Sequence, residues 1–330
     1  MNNPFINGGI GSGFLSGSST TGSNNIGVSA SPIAALTTAQ IQALTSVPMP
    51  GTIGSARMVF LNNIMRAKIG FIGLGFVGSA IADAYSDFEN EIIKLDPAKG
   101  FTASYKDLTN TEGVFVSVPS PQTSDGRADT HILESVLENL RAVDYHGVII
   151  SKTTAPPEVY NRLQKQYKNL VHVPEFLTAA NAKLDYMRSK FAYIGGEITA
   201  YRNEAERLIK IGLPDLKNFI HCSIAEASLA KYTLNTFLAT KVVFMNEIAK
   251  LAENLGCNYE TVSRMVMEDD RIGNSHMRVP GPDGAYGFGG MCFPKDTQAM
   301  LKFAEDAGTS MMVLEAAVKK NTFLRLTEPK

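Results

Sequence analysis

The sequence is poor in cysteine and histidine, and neither residue type follows a spacing that binds metal. Its three cysteines (Cys222, Cys257 and Cys292) are an odd number without paired spacing, and its five histidines fall into no metal-ligand pattern. We therefore expect no structural metal and a reducing compartment, the cytoplasm.

The chain also lacks a dominant charge and a long apolar run. Its formal net charge of -1 over 330 residues gives no electrostatic argument for binding nucleic acid or a membrane surface. No apolar stretch reaches the roughly 20 residues that a membrane-spanning helix needs. With 44% hydrophobic and 19% charged residues, the chain is long enough for two soluble domains, and a small molecule is the expected ligand.

Charged side chains are absent from the start of the sequence, where none precedes Arg57. Residues 1–67 are crowded with Gly, Ser, Thr and Asn and have little apolar periodicity, so we expect a disordered extension or a loosely attached arm. The segment has neither the positive start nor the compact apolar stretch of a secretory signal. A later translation start at Met65 is the alternative, because Met65 opens the residues that lead into the first regular strand.

Regular secondary structure is predicted from Lys68 onward. Short apolar strands alternate with helical patterns as far as residue 215, which predicts an α/β fold with a Rossmann-type doubly wound parallel sheet over residues 68–215. The predicted strands cover residues 68–72, 91–95, 113–118, 147–151, 170–173 and 191–194. Residues 216–330 are predicted to form an all-helical central domain.

One long helix dominates this second region. Residues 224–254 are amphipathic and contain neither Gly nor Pro, so they predict a single helix of about 45 Å. A small domain does not need a helix of this length, and we expect it to pack against a second copy of the chain in a homodimer. A helix that serves only as an internal spine is the alternative.

A glycine-rich turn follows the first predicted strand and precedes a helix. In this context the first glycine of GxGxxG permits the turn, the second lets a pyrophosphate approach the backbone, and the third lets helix and strand pack closely. The helix N-terminus adds a positive field. An acidic residue at the end of the next strand would bind ribose hydroxyls and repel a 2'-phosphate, so the pattern favours NAD over NADP. The residues predicted to hold the cofactor here are Gly73, Gly75, Phe76, Val77, Gly78 and Asp96.

Three more loops follow predicted strands and therefore lie at the edge where open α/β sheets bind ligands. Pro119 and Ser120 follow the third strand, Thr154 follows the fourth, and Glu175 follows the fifth. The hydroxyls of Ser120 and Thr154 can serve the nicotinamide ribose or a reacting sugar. A purely structural role as rigid proline-rich connections is the alternative.

A cysteine on a glycine-rich loop is the strongest candidate for a nucleophile. Cys292 lies within residues 287–296, where glycines let the backbone approach a ligand closely. Lys295 is a cation that favours a thiolate, and Asp296 is placed to cap a helix that would begin at Thr297. The alternative is that Cys292 is a small buried hydrophobic residue.

Two polar residues on the predicted long helix share one face. Lys231 and Asn235 are four residues apart and therefore one turn from each other. By itself this spacing is common on an exposed helix. It gains meaning beside a predicted NAD site, a loop carboxylate at Glu175 and a cysteine on a glycine loop.

From residue 68 to residue 321 the chain resembles the UDP-glucose/GDP-mannose dehydrogenase family. The resemblance rests on several motifs in the family's order, and no single one would carry it. They are the glycine fingerprint and residues 117–121 with Gly126 and Asp129, 152–157, 174–177, 226–235, 246–247, 271–274 and 288–296.

The resemblance implies an NAD-dependent oxidation of a nucleotide sugar, with UDP-glucose as the favoured substrate and UDP-glucuronate as product. Converting the sugar C6 alcohol to a carboxylate removes four electrons, and each NAD+ accepts two as hydride, so two NAD+ are needed. The cysteine at the family's position, Cys292, would attack the aldehyde intermediate. The resulting thiohemiacetal can give the second hydride and become a thioester, which water hydrolyses.

The same resemblance implies a role for each polar group. Lys231 and Asn235 would stabilise the developing oxyanion, and Asp296 would assist deprotonation through a water. Glu175 would activate the hydrolytic water, while Thr154 positions sugar or cofactor. Arg271 matches an arginine that family members contribute across a dimer interface. The residues expected to hold substrate are Glu175, Phe176, Leu177, Lys231, Asn235, Arg271, Phe288, Gly289 and Gly290, and those expected to hold the cofactor beyond the glycine turn are Pro119, Ser120, Thr154 and Lys295.

The family normally continues past residue 321 with another α/β domain that holds the nucleotide, and this sequence ends at Lys330. Either the missing domain is another polypeptide, or the gene is split or truncated, or the enzyme holds its substrate with fewer contacts. Because remote binding energy orients the reacting group, loss of the nucleotide contacts is expected to lower both affinity and turnover. Two other functions stay open. One is a β-hydroxyacid dehydrogenase, which has a similar fingerprint and Lys/Asn pair but needs no thiol. The other is a non-catalytic NAD-binding remnant that needs a partner chain.

Overall fold

The computed structural model of the protein describes residues 66–86, 90–178 and 180–327. The predicted extension over residues 1–67 lies outside this range except for its last two residues. Ala67 is buried, and its backbone N–H donates to the Asn90 side chain at 3.0 Å. Residue 67 is therefore part of the fold.

Eight strands of the described chain form one sheet, in the order β3-β2-β1-β4-β5-β6-β7-β8. Five neighbouring pairs are parallel, and the pairs β2/β3 and β6/β7 are antiparallel. The strands are β1 (Lys68–Ile72), β2 (Glu91–Asp96), β3 (Phe101–Thr102), β4 (Gly113–Val116), β5 (Val148–Ser151), β6 (Leu170–His172), β7 (Phe191–Gly195) and β8 (Asn218–Cys222).

The helices alternate with the strands in the first part of the chain and follow one another in the second. They are α1 (Phe76–Ser86), α2 (His131–Ala142), α3 (Pro157–Gln166), α4 (Ala182–Met187), α5 (Thr199–Gly212), α6 (Ile224–Asn254), α7 (Tyr259–Met267), α8 (Phe293–Asp306) and α9 (Met312–Thr327).

Helices cover both faces of the central strands, which explains why these strands are apolar throughout. Ile69 and Phe71 of β1 pack with α1, α4 and α5 on one face. Ile72 and Val114 pack with α2 and α3 on the other face. Successive side chains of a strand point to opposite faces, so a strand buried on both sides becomes a continuous apolar run. The predicted Rossmann-type doubly wound sheet is confirmed.

Two strands were not predicted, and both lie at the edges of the sheet. β3 has only two residues, and both are exposed. β8 has only exposed and half-buried positions and includes Asn218 and His221, so it lacks the apolar run of a central strand. Because β8 continues the sheet to Cys222, residues 216–330 are not all-helical as predicted. Two antiparallel pairs also make the sheet mixed and not purely parallel.

The predicted long helix is confirmed as α6, which has 31 residues. Ser223 and Glu226 form a capping box, in which the Ser223 N–H donates to Glu226 Oε2 at 2.7 Å and the Glu226 N–H donates to Ser223 Oγ at 3.2 Å. The helix packs against α3, α8 and α9. It therefore runs from the sheet into the helical layer. Within residues 66–86, 90–178 and 180–327, every helix is too short or too polar to cross a membrane.

The helix after the glycine-rich loop starts earlier than predicted. α8 begins at Phe293, so Cys292 occupies the N-cap position and Asp296 lies in the first turn. The predicted cap at Asp296 is wrong. Pro294 explains the earlier start, because proline is favourable in the first turn of a helix, where its missing N–H costs nothing.

Candidate active site

The glycine turn after β1 has the geometry that the fingerprint requires. Gly73 has a φ of +81°, and a Cβ added to Gly78 would lie only 1.9 Å from the Gly73 carbonyl oxygen. These two positions therefore need glycine for the turn and for close packing of α1. At Gly75, in contrast, an added Cβ would meet nothing within 4 Å. The surface over Gly75 is open to a ligand.

Asp96 at the end of β2 lies next to this turn. Its Oδ2 accepts a hydrogen bond of 2.6 Å from the Leu74 N–H. Phe76 and Val77 begin α1 and are half-buried, so the helix N-terminus also lies at the turn. An open glycine, a helix N-terminus and a carboxylate together fit the pyrophosphate and ribose of a dinucleotide. Among the described residues, no group of three or more His, Cys, Asp or Glu is placed to hold a metal ion.

Two further loops at the same edge of the sheet are tied together by a threonine that the sequence reasoning did not single out. Thr153 Oγ1 accepts from the Val118 N–H at 3.2 Å and donates to the Val118 carbonyl at 2.9 Å. Ser120 is buried, Thr154 is half-buried and Pro119 is exposed. The loops after β4 and β5 are thus fixed side by side beyond the carboxyl ends of their strands.

Lys231 of α6 and Glu175 of the loop after β6 form the central contact of the site. Lys231 Nζ donates to Glu175 Oε1 at 3.1 Å and also to the Glu175 backbone carbonyl. Glu175 Oε2 accepts from the Leu177 N–H at 2.7 Å, and the ammonium lies 5.1 Å from the centre of the Phe176 ring. Lys231 is 3% exposed and Glu175 is 8% exposed, so each charge depends on the other for its stabilisation.

One helical turn farther along α6, Asn235 contacts Asp296 of α8. Asn235 Nδ2 donates to Asp296 Oδ2 at 2.6 Å, and Lys295 Nζ donates to the other carboxylate oxygen. Asn235 and Asp296 are both buried. The Lys/Asn pair predicted to share a helix face is therefore held by two carboxylates from two other parts of the chain.

Cys292 stands beside these groups at the N-terminus of α8 and is half-buried. Burial raises the pKa of its thiol and is the largest effect. The positive charge of Lys231 lowers this pKa, and the negative charges of Glu175 and Asp296 raise it. Lys295 also lowers the pKa, with the smallest effect of the four charges. The idea that Lys295 favours a thiolate is therefore correct in sign but outweighed by burial. Lys231 is the cation with the larger effect on this thiol.

The loop before Cys292 is anchored to α9 through Phe288. Its backbone N–H donates to Asn321 Oδ1 at 2.6 Å, and its carbonyl accepts from Asn321 Nδ2 at 3.1 Å and Arg325 Nε at 2.9 Å. The Phe288 side chain is buried against α6. Gly289 is half-buried, and Gly290 is exposed with a φ of +77°. Of Phe288, Gly289 and Gly290, only the two glycines are exposed enough to contact a ligand.

Arg271 contacts an acidic residue two positions earlier in the chain. Its side chain is 88% exposed and forms an ion pair with Asp269, with Nε 2.9 Å from Oδ1. The loop that carries it is fixed on α6 by Lys241, whose ammonium donates to the carbonyls of Ile272 and Gly273 at 3.0 Å each. The guanidinium of Arg271 is thus paired with Asp269 and open to solvent.

Two buried residues near Glu175 received no role from the sequence. Lys152 is 8% exposed, and its ammonium lies 3.5 Å from the Pro174 carbonyl. His172 is 1% exposed, stacks on Tyr160 with ring centres 4.1 Å apart, and has Nδ1 3.0 Å from the Ser151 carbonyl. A carbonyl only accepts, so Nδ1 of His172 carries the proton. A charged residue directly after an apolar strand, at the ligand edge, was the signal that could have identified Lys152.

The sheet, the glycine turn and the loops beyond the strand ends define a Rossmann-type dinucleotide-binding domain, which is followed by helices that contribute lysine, asparagine and cysteine. Two family models match this chain: the NAD binding domain of the UDP-glucose/GDP-mannose dehydrogenase family over residues 98–211, and the family's central domain over residues 225–322. The chain belongs to the UDP-glucose/GDP-mannose dehydrogenase family.

Individual relatives agree with this assignment. The chain is 33% identical over 233 residues to a UDP-glucose 6-dehydrogenase of Rickettsia bellii, a match that covers 67% of this chain and 52% of the relative. It is 35% identical over 289 residues to the putative UDP-glucose 6-dehydrogenase YtcA of Bacillus subtilis, covering 76% of this chain and 66% of the relative. The chain thus spans about half to two thirds of the length of these curated relatives.

A solved structure has the same fold. The UDP-glucose dehydrogenase from the hyperthermophilic archaeon Pyrobaculum islandicum matches with a TM-score of 0.67 and 25% sequence identity. The match covers 78% of this chain and 68% of that chain. The similarity therefore extends over most of the residues that the present structure describes.

Proposed function

We propose that the protein is an NAD-dependent nucleotide-sugar 6-dehydrogenase that oxidises UDP-glucose to UDP-glucuronate. The observation that carries this proposal is the joining of two buried polar pairs, Lys231 with Glu175 and Asn235 with Asp296, beside Cys292. Relatives named UDP-glucose 6-dehydrogenase support the choice of sugar.

The glycine turn and the neighbouring loops hold NAD in this proposal, and NAD+ supplies the hydride acceptor. The open surface over Gly75 receives the pyrophosphate, and Asp96 binds the ribose of the adenosine half. Pro119, Ser120 and Thr154 face the nicotinamide half. Lys295, also predicted to contact the cofactor, forms an ion pair with Asp296.

The helix pair handles the oxygen on C6 of the sugar. The hydroxyl proton leaves through a water toward Asp296, while Lys231 and Asn235 stabilise the developing negative oxygen. These donors belong to one helix face and are held by carboxylates, so they are oriented before substrate arrives. Phe176 and Leu177 shape the sugar side of the site next to Glu175, and Gly289 and Gly290 offer backbone surface.

Cys292 supplies the covalent step. Its sulfur forms a bond to the aldehyde carbon as the S–H bond breaks and the proton moves to the carbonyl oxygen, which gives a thiohemiacetal. Loss of the C–H hydride and of the O–H proton in the second oxidation leaves a thioester on Cys292. Water then attacks the thioester carbon and gives a proton to Glu175. The carbon–sulfur bond breaks with its electron pair on sulfur, the sulfur takes the second proton of the water, and the carboxylate product is free to leave.

We also propose that the enzyme is a homodimer formed through α6. Phe237, Phe244 and Leu251 are seven residues apart and are 65%, 58% and 52% exposed, so they form one apolar stripe along the helix. In such a dimer the exposed Arg271 is available to the substrate site of the partner. The three cysteines are free thiols, and this fits a cytoplasmic enzyme.

The test is turnover of defined substrates. Purified protein is mixed with NAD+ and a panel of nucleotide sugars, and NADH is followed by absorbance. Two NADH for each UDP-glucose are expected, with UDP-glucuronate as product. A panel of β-hydroxy acids is run in parallel, and one NADH per hydroxy acid with no sugar turnover would replace this proposal by the β-hydroxyacid dehydrogenase alternative. NAD binding without turnover of either panel would favour a non-catalytic role.

A further inference from the structure

Lys152 is a second buried lysine next to Glu175, and the steps above leave it without a role. It follows β5 directly, and its ammonium contacts the carbonyl of Pro174, the residue before Glu175. Lys231 contacts Glu175 itself, through Oε1 and the backbone. Glu175 therefore has two lysines around it, and only one of them binds its carboxylate.

A cavity of about 340 Å³ lies against Lys152 and Glu175. Its other walls come from α4, α5 and β7, and neither Lys231 nor Cys292 lines it. The exposed side chains of Arg188 and Lys190 are part of its lining, so the cavity reaches the protein surface. Glu175 thus forms its ion pair with Lys231, while Lys152 and the cavity lie at a separate part of its surroundings.

Thioester hydrolysis leaves a proton at Glu175 in each cycle. One thioester and one water give a carboxylate, a thiol and one proton, so Glu175 must lose the proton that it took from water before the next cycle. The Lys231 ammonium, which binds Glu175, has donors only and cannot accept this proton. An unprotonated amine at Lys152 can accept it.

We propose that Lys152 takes the proton from Glu175 after thioester hydrolysis and releases it to water in the adjoining cavity. This inference rests on the proposed thioester mechanism. The nitrogen lone pair of Lys152 forms the new N–H bond as the O–H bond of the Glu175 carboxyl breaks. The ammonium then gives one proton to cavity water, and nothing is oxidised or reduced.

The charges around Lys152 agree with this task. Burial lowers the pKa of Lys152 to about 7, Lys231 lowers it as well, and Glu175 opposes the change. His172 is neutral here, because burial lowers its pKa to about 3. Asp185, Arg188 and Lys190 line the cavity and are the other charged groups near this side. The unprotonated fraction of Lys152 rises as the pH rises through about 7, so its capacity to accept a proton rises over the same interval.

Two variants separate proton transfer from a fixed charge. Lys152→Met keeps the length of the side chain but cannot bind a proton. Lys152→Arg keeps a permanent charge that a protein does not deprotonate. Lys165→Met, an exposed lysine on α3, is the matched control. The probes are NADH from UDP-glucose in rapid mixing, and the mass of the Cys292 peptide after acid quenching.

If Lys152 transfers the proton, both Lys152 variants keep the rapid first phase of NADH formation and lose steady-state turnover by at least about tenfold. A sugar-acyl adduct on Cys292 then accumulates in both. In wild type the steady-state rate rises as the pH increases through about 7, and in Lys152→Met this rise is lost. The control keeps wild-type kinetics.

Full turnover in Lys152→Arg would overturn the inference, because a fixed charge would then suffice. Wild-type turnover in Lys152→Met would overturn it too. If Lys152→Met does not fold, Lys152→Arg alone decides by the same criterion. Failure of the proposed function looks different, because wild type itself would then give neither NADH nor an adduct on Cys292.

Discussion

Lys231 and Glu175 bind each other across 56 positions of sequence, with Nζ 3.1 Å from Oε1 and both residues more than nine-tenths buried. Each of the two has a proposed catalytic role, as the cation for the sugar oxygen and as the base for water. The same contact that orients them also keeps two charges stable inside the protein. Stability and chemistry are therefore coupled at this pair.

Breaking the pair on one side is expected to destabilise the fold. Lys231→Met leaves the Glu175 carboxylate buried without its main partner, and we expect a loss of about 3 kcal/mol in the free energy of unfolding. The double variant Lys231→Met/Glu175→Gln removes both charges and should recover most of this loss. Urea unfolding of the two variants and wild type measures the difference. Equal stability of single and double variants would show that the unpaired Glu175 charge is not the cause of the loss.

The glycine turn provides a matched pair of substitutions. Gly75→Ala places its methyl group in open space, so the melting temperature should stay within a few degrees of wild type while NAD binding weakens, because the methyl occupies the pyrophosphate surface. Gly78→Ala forces a methyl against the Gly73 carbonyl and should lower the melting temperature clearly. Thermal unfolding and calorimetric titration with NAD+ check both. Unchanged NAD affinity in folded Gly75→Ala would contradict the assigned cofactor position.

The three cysteines should differ sharply in function. Cys292→Ser is expected to lose net formation of the sugar acid, since serine cannot form the thioester, whereas Cys222→Ser and Cys257→Ser keep it. Cys222 ends β8 and Cys257 follows α6, so neither belongs to the site. Product is measured by chromatography after reaction with UDP-glucose. Equal acid formation in all three variants would rule out the thioester route.

The reactivity of Cys292 reports the charges around it. Burial raises the pKa of this thiol, so alkylation by iodoacetamide should be slow at neutral pH and accelerate as the pH rises toward alkaline values. Lys231 lowers this pKa and Glu175 raises it. At a given pH, Lys231→Met should therefore slow alkylation and Glu175→Gln should speed it. Peptide mass spectrometry follows Cys292 separately from the other two thiols. The same rate in wild type and both variants would show that neither charge acts on Cys292.

The stripe on α6 predicts the oligomeric state. Replacing Phe237 and Phe244 by aspartate puts two charges into the proposed interface, and we expect the dimer to dissociate into folded monomers. Light scattering after size-exclusion chromatography measures the mass, and circular dichroism verifies folding. As a control, Lys165→Met lies on α3 and should leave the mass unchanged. A monomeric wild type would refute the proposal directly.

Much of the fold was determined by the sequence alone, because its signals are local. The central strands could be predicted because they are continuous apolar runs, and they are apolar because helices cover both of their faces. The glycine fingerprint and Asp96 are close in sequence, and so are Lys231 and Asn235 on one turn of helix. The bounds of α6 match the predicted stretch that contains neither Gly nor Pro. Edge strand β8 was not predicted, because it is partly exposed to solvent and its sequence combines polar and apolar residues without a clear pattern.

The partners of the proposed catalytic groups were decided only by the tertiary structure. Asn235 and Asp296 are 61 positions apart, and Lys231 and Glu175 are 56 apart, so no local pattern records either contact. Their pairing depends on how α6 crosses the sheet edge and how α8 packs on α6. Burial is also decided by the tertiary structure. Packing removes water from Cys292 and Lys152, which raises the pKa of Cys292 and lowers that of Lys152. The sequence thus determined which polar and charged side chains the site contains, and the tertiary structure decided which of them are buried in contact with one another.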